Sequence, residues 1–131
     1  MKKTNFNPTS WLQGFGLNHA IEVSGNTRTL YLSGQTASGP DGSPLHPGDI
    51  VAQYKTAWQC VKDALAAADM TPANLVRMNF YTTDVDAFMA AAEEIMPIHV
   101  GEGAEIVATL LGVSRLYDPA TMIELEATAV G

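Results

Sequence analysis

A chain of 131 residues, 47% hydrophobic and 16% charged, has room for one domain and one ordinary core without disulfides or metal. Its 14 acids against 7 bases leave a net charge of -7, which repels a phosphate backbone and makes nucleic acid a poor partner. The single cysteine, Cys60, excludes an internal disulfide, and its place in a helical-looking run favours a structural thiol over a reactive one.

Residues 1–15 read as an N-terminal arm. Two lysines near its start are followed by no apolar stretch, so no signal peptide is expected, and no run approaches the length of a membrane span. Cytoplasm is the expected location. Trp11 in this arm either covers a pocket or pins the chain. Residues 20–23 and 29–33 alternate with period two around the turn-forming Ser24-Gly25-Asn26-Thr27, which predicts an antiparallel hairpin. Residues 38–44, rich in Gly, Pro and Ser, form a surface loop.

From Asp49, Ile50, Tyr54, Trp58, Val61 and Leu65 recur at steps of three and four, with Gln53, Lys55, Lys62 and Asp63 largely on the other side. This is an amphipathic helix with Trp58 in its core stripe. Thr71-Pro72 is a cap followed by a first-turn proline, and residues 75–81 alternate as a strand. Asp84 or Asp86 caps a second helix through Phe88, Ala91, Ala92, Ile95 and Met96, which Pro97 ends or closes in its last turn. Two strands remain, at residues 106–113 and 122–130, with Tyr117-Asp118-Pro119-Ala120 as the turn between them.

The resulting order, β-β-α-β-α-β-β, predicts an α+β fold in which a mixed sheet carries two helices on one face, within a single domain over residues 1–131. On the last strand Ile123, Leu125 and Ala127 point to the helices, and Met122, Glu124, Glu126, Thr128 and Val130 point away. Residues near Leu110 and Leu111 are apolar on both faces. Covering the outward face with further copies of the same sheet accounts for both observations and points to a cyclic oligomer.

Three stretches, Leu32-Ser33-Gly34-Gln35, residues 76–84 and residues 122–130, together resemble the RidA family, also called YjgF or liver perchloric-acid-soluble protein. The resemblance extends from about Leu17 to the C-terminus. It implies a chorismate-mutase-like fold, a homotrimer with a barrel-like core, and ligand clefts between adjacent subunits. Archetypal members hydrolyse enamines and imines released by pyridoxal-phosphate enzymes, and clamp the substrate carboxylate with an arginine. Here that arginine's position falls on Ala108, which offers no charge and no donor, so bidentate carboxylate recognition is lost. A tyrosine of the family is replaced by Leu17. Glu124 matches the acid that positions the attacking water, and Gly34 beside Ser33 matches backbone that lines the cleft. Thr109 is expected to help orient a ligand through its main chain.

Without the family, Glu124 is a strand carboxylate open to a solvated or interface role, and in a partly dry cleft its pKa rises, the more so if Glu126 shares the cavity. Glu126 reads as structural or solvated. His19, His46 and His99 have no ligand spacing, so no metal is expected, and His99 reads as a surface histidine with a lesser claim to border a cleft. Ser33 has no histidine placed to activate it. The expected function is hydrolysis of a small imine or enamine metabolite, by a route other than the arginine-dependent one and without cofactor. The alternative is a non-catalytic trimer that binds a small molecule in the same clefts. The endoribonuclease activity attached to the family by name conflicts with the acidic charge.

Overall fold

The computed structural model describes residues 1–131 and builds its core on one mixed sheet. In chain order the elements are β1 (Lys2–Phe6), β2 (Ala20–Ser24), β3 (Thr29–Thr36), α1 (Ile50–Ala67), β4 (Leu75–Thr82), α2 (Val85–Ala90), α3 (Ala92–Gly101), β5 (Leu110–Gly112) and β6 (Ile123–Val130). The main sheet runs β3-β6-β4-β5, and β1 and β2 form a separate two-stranded sheet. Strand β6 is antiparallel to both neighbours, and β4 pairs parallel with β5. The α+β architecture expected from the sequence is present, with helices covering one face only.

Alternation on β6 sends Ile123, Leu125, Ala127 and Ala129 into the core, where α1 presents Tyr54, Trp58, Val61 and Leu65. Asp49 starts α1 by accepting the Ala52 N–H at 3.0 Å, which satisfies a donor of the first turn. Tyr54 stacks on Phe80 of β4 with ring centroids 6.3 Å apart, and Phe80 in turn meets Phe88 of α2 at 5.7 Å. This aromatic column joins both helical segments to the sheet.

Several expected pairings differ. β2 is bonded to β1, Lys2 opposite Ser24 through Phe6 opposite Ala20, and β3 takes β6 as its partner. The turn residues at 24–27 therefore change sheet rather than close a hairpin. The arm holds a strand and a 3-10 turn, Leu12–Phe15. The ammonium of Lys3 ties β1 to the body of the domain through the carbonyls of Leu75 at 2.8 Å and of Ala73 and Glu105 at 3.3 Å.

The second helix breaks at Ala91 into α2 and α3, and Pro97 lies inside α3, four residues before its end at Gly101. Of the apolar run 106–113 only Leu110–Gly112 is strand. Residues 117–120 connect β5 to β6 without a hairpin, since β4 lies between them. Gln53, expected on the polar side of α1, is fully buried and saturated. Its Nε2 donates to the carbonyls of Leu45, His46 and Ala120, and its Oε1 accepts the Met122 N–H at 2.8 Å. One amide thus pins two irregular connections to the helix.

Candidate active site

Glu124 is half-buried on β6, opposite Thr36 of β3 and Tyr81 of β4. Between the pairs Leu32–Ala127 and Gln35–Leu125 the β3 chain carries two residues, Ser33 and Gly34, against Glu126 alone. This bulge brings the Gly34 backbone against the Glu124 side chain. A Cβ on Gly34 would stand 1.9 Å from Glu124 Oε1, so glycine is what allows the carboxylate its place. Burial pushes the Glu124 carboxyl above its ordinary value, and the neighbouring Glu126 carboxylate adds to the rise.

Glu126 is exposed but engaged. Its Oε1 accepts from the Tyr81 phenol at 2.9 Å and from Asn79 Nδ2 at 3.3 Å. The hydrogen bond to Glu126 pushes the Tyr81 phenol up, and the two carboxylates nearby reinforce this. Asn79 and Tyr81 were not singled out in the sequence, although the alternation of β4 placed them opposite Met78 and Phe80, on the same outward face as Glu124. The Asn79 Oδ1 is buried and has no hydrogen-bond partner within the chain.

Leu17 and Ala108 occupy a second place. They line an apolar cavity of about 320 Å³ together with Trp11 and Phe15 of the arm and Phe88 and Met89 of α2. Leu17 reaches it through a parallel bridge to Ile106. The cavity lies on the helix side of the sheet edge, because its lining includes Phe80 and Leu110, the inward residues of β4 and β5. Glu124 points away from that side, so a single chain does not bring Glu124 and Gly34 together with Leu17 and Ala108. Ser33 and Thr109 are exposed, and the Thr109 carbonyl accepts the Phe80 N–H at 2.9 Å.

His99 is no surface residue. It is fully buried, its Nε2 lies 3.0 Å from the Gly16 carbonyl, and its Nδ1 has no partner. Burial holds its pKa below the ordinary histidine value. Gly16 takes φ +70°, and a Cβ there would stand 2.4 Å from Val100 Cγ2, so the turn beneath Trp11 and Phe15 is seated on α3 through this glycine and His99. Trp58 is core, and its indole N–H donates to Glu102, which also pairs with Lys62 at 2.9 Å. Cys60 is half-buried with its thiol pushed up by burial. No three His, Cys, Asp or Glu side chains gather as a metal set would, and no helix is long and apolar enough to cross a membrane.

Residues 15–131 match the family described as Endoribonuclease L-PSP. A conserved Rid family protein of Yersinia pestis, YyfB, of unknown function, is 31% identical over 99% of both chains, with a TM-score of 0.88. The YjgF gene product of E. coli is 25% identical over 83% of this chain and 84% of its own, with a TM-score of 0.68. A 2-iminobutanoate/2-iminopropanoate deaminase of Capra hircus is 33% identical over 63 residues, 48% of this chain and 46% of its own, so the chain spans about half the length of that curated relative. On the extent of these matches, the chain belongs to the Endoribonuclease L-PSP family, the RidA/YjgF group of proteins.

Proposed function

We propose that this protein hydrolyses a small imine or enamine metabolite, with Glu124 as the acid–base group, in a branch of the family that has no arginine clamp. The observation that carries the reading is the Glu124 carboxylate held against the Gly34 backbone with its pKa raised by burial. A carboxyl moved toward neutrality gives and takes a proton more readily near pH 7 than an ordinary glutamate. In the proposed reaction the oxygen of a water held by Glu124 bonds the imine carbon, its proton passes to the carboxylate, and the carboxyl returns that proton to nitrogen. Transfer of the hydroxyl proton to nitrogen then breaks the C–N bond and releases ammonia and a carbonyl compound. Positioning one water and one acid suffices for a modest acceleration, since imines already hydrolyse in water.

The second half of the site comes from a neighbouring copy in this reading. The outward face of β6 in one chain and the β5 edge of the next would enclose a cleft in a homotrimer, with Ser33, Gly34 and Thr109 supplying main-chain contacts. The all-apolar lining around Leu17 and Ala108 favours one further reading, a trimer that binds a small molecule without turning it over.

The test is the hydrolysis of imines freshly made by an amino-acid oxidase, trapped with semicarbazide, for the wild type, Glu124→Gln and Ala108→Arg. Wild-type acceleration that falls about 10²-fold or more in Glu124→Gln supports the hydrolase. Ala108→Arg is expected to raise activity toward anionic imino acids. Saturable ligand binding that survives Glu124→Gln, with no turnover of neutral or anionic imines, would replace the hydrolase with the binding protein.

A further inference from the structure

The cavity beside β5 differs from the Glu124 site in having no polar side chain in its lining: Leu17, Phe80, Ala108 and Leu110 form its floor, and Trp11 and Met89 stand at its rim. Its volume of about 320 Å³ falls at the small end of ligand cavities and exceeds what a benzene ring needs in a dry protein void. Trp11 is 63% exposed and Met89 49% exposed, although both are residues that gain by burial. Trp11 also packs edge-on to Phe15 at 6.4 Å and to His19 at 6.0 Å, which holds the indole in one place. The floor is fixed largely by the sheet, and the rim by Met89 of α2 and by Trp11 of the arm, which Gly16 seats on α3.

Charge decides what enters. The lining holds no cation to receive a carboxylate, the chain carries -7, and an anion desolvated there would have no partner. An uncharged flat group loses little on desolvation and gains contact with the aromatic rings of Trp11, Phe15, Phe80 and Phe88 and the thioethers of Met89 and Met96. We infer that this cavity is a binding site for an uncharged aromatic or branched aliphatic group of about phenyl size. The inference rests on the hydrolase reading only where it names the substrate, since a ligand seated here would be an imine carrying such a side chain and no carboxylate; the binding itself requires no turnover.

Phenylacetamide and phenylacetate have nearly the same shape and differ in charge, so titrating each into the intact protein tests the site. The chain has two tryptophans, and their indole N–H signals in proton–nitrogen spectra separate the rim from the core. Phenylacetamide is expected to shift the Trp11 signal saturably, with Kd on the order of 1 mM or tighter, and to leave Trp58 unmoved. Phenylacetate should bind about tenfold more weakly or not at all. Ala108→Phe fills the floor and should abolish the Trp11 shift. Met89→Lys, a change at the exposed rim that leaves the core intact, should narrow or reverse the preference for the amide. Equal affinity for the two probes, a shift unchanged in Ala108→Phe and Met89→Lys, or no saturable shift at Trp11 would overturn the inference. Imine turnover in a protein that fails this titration leaves the hydrolase standing, and binding in a protein with no turnover leaves the cavity site standing.

Discussion

Glycine at position 34 is required by a side chain on another strand. The backbone there needs no left-handed conformation, and what a Cβ would meet is the flexible end of Glu124, at 1.9 Å from Oε1 and 2.7 Å from Cδ. Gly34→Ala should therefore leave the fold in place, within about 1 kcal/mol of wild-type stability, while forcing the carboxylate out of its seat. A hydrolase that depends on that seat should lose about 10²-fold in rate in Gly34→Ala, as in Glu124→Gln. A variant that melts like the wild type and turns over imines at full rate would remove Gly34 from the site. The pair was half legible in the sequence. The family resemblance points to Glu124 and Gly34, but only the bulge at Ser33 and Gly34 makes them touch, and a two-against-one register leaves no mark in the alternation of either strand. The reading of Glu126 as structural or solvated names no partners for a similar reason: Tyr81 and Asn79 come from a strand more than forty residues away.

Among the elements, those with a strong local period were legible and those set by pairing were not. The stripe of α1, the buried alternation of β6 and the capped turn before β4, where Asn74 Oδ1 accepts the Thr71 N–H at 2.9 Å, follow from short-range chemistry. The partner of β2 does not. The edge of β2 could pair with either β1 or β3, and in the fold β1 takes it while the Lys3 ammonium ties β1 to the carbonyls of Ala73, Leu75 and Glu105. Burial lowers the Lys3 pKa, with Glu105 acting against it, so the charge is held there at some cost. Lys3→Met is expected to destabilise the domain by about 1–2 kcal/mol and to raise amide exchange in β1 and β2 above that in β6. Uniform exchange across the three strands would show that the arm is held by other contacts. The apolar run at 106–113 failed as a strand for the same kind of reason. An edge position beside β4 leaves only Leu110–Gly112 as regular strand: Val107, Thr109 and Val113 still bond to the β4 main chain, Ile106 goes into the core and Ala108 lines the cavity.

At the scale of the whole molecule, the unclothed face of the sheet and the acidic charge pull in opposite directions. Tyr31 is 80% exposed on the outward face of β3 and Leu111 48% exposed on β5, which favours self-association. A charge of -7 on each copy opposes it and keeps unspecific contacts weak. Sedimentation is expected to give three times the 14.0 kDa chain mass, and Leu111→Arg is expected to shift it toward one.

His99 and Glu124, two of the groups with displaced pKa values, respond to acid with opposite signs. The folded-state pKa of His99 lies below 6.5, so on acidification the unfolded chain takes the proton first and stability falls as pH drops below that value. The folded-state pKa of Glu124 lies above 4.5, so the folded chain keeps that proton longer and gains stability as pH falls through its folded value toward 4.5. The Glu124 contribution stays below about 1 kcal/mol because solvent screens a half-exposed carboxyl, whereas His99 is sealed beneath Gly16. The net expectation is a melting temperature that falls as the pH drops from neutrality through about 6.5, and a flatter profile in His99→Gln, which keeps a donor for the Gly16 carbonyl but does not titrate. Parallel profiles for the two proteins over that range would mean that the buried imidazole does not govern the response, and any acid lability would then lie with the carboxyls held below their usual range, Asp41 by its hydrogen bonds from Ser43 and Glu102 by those from Lys62 and Trp58.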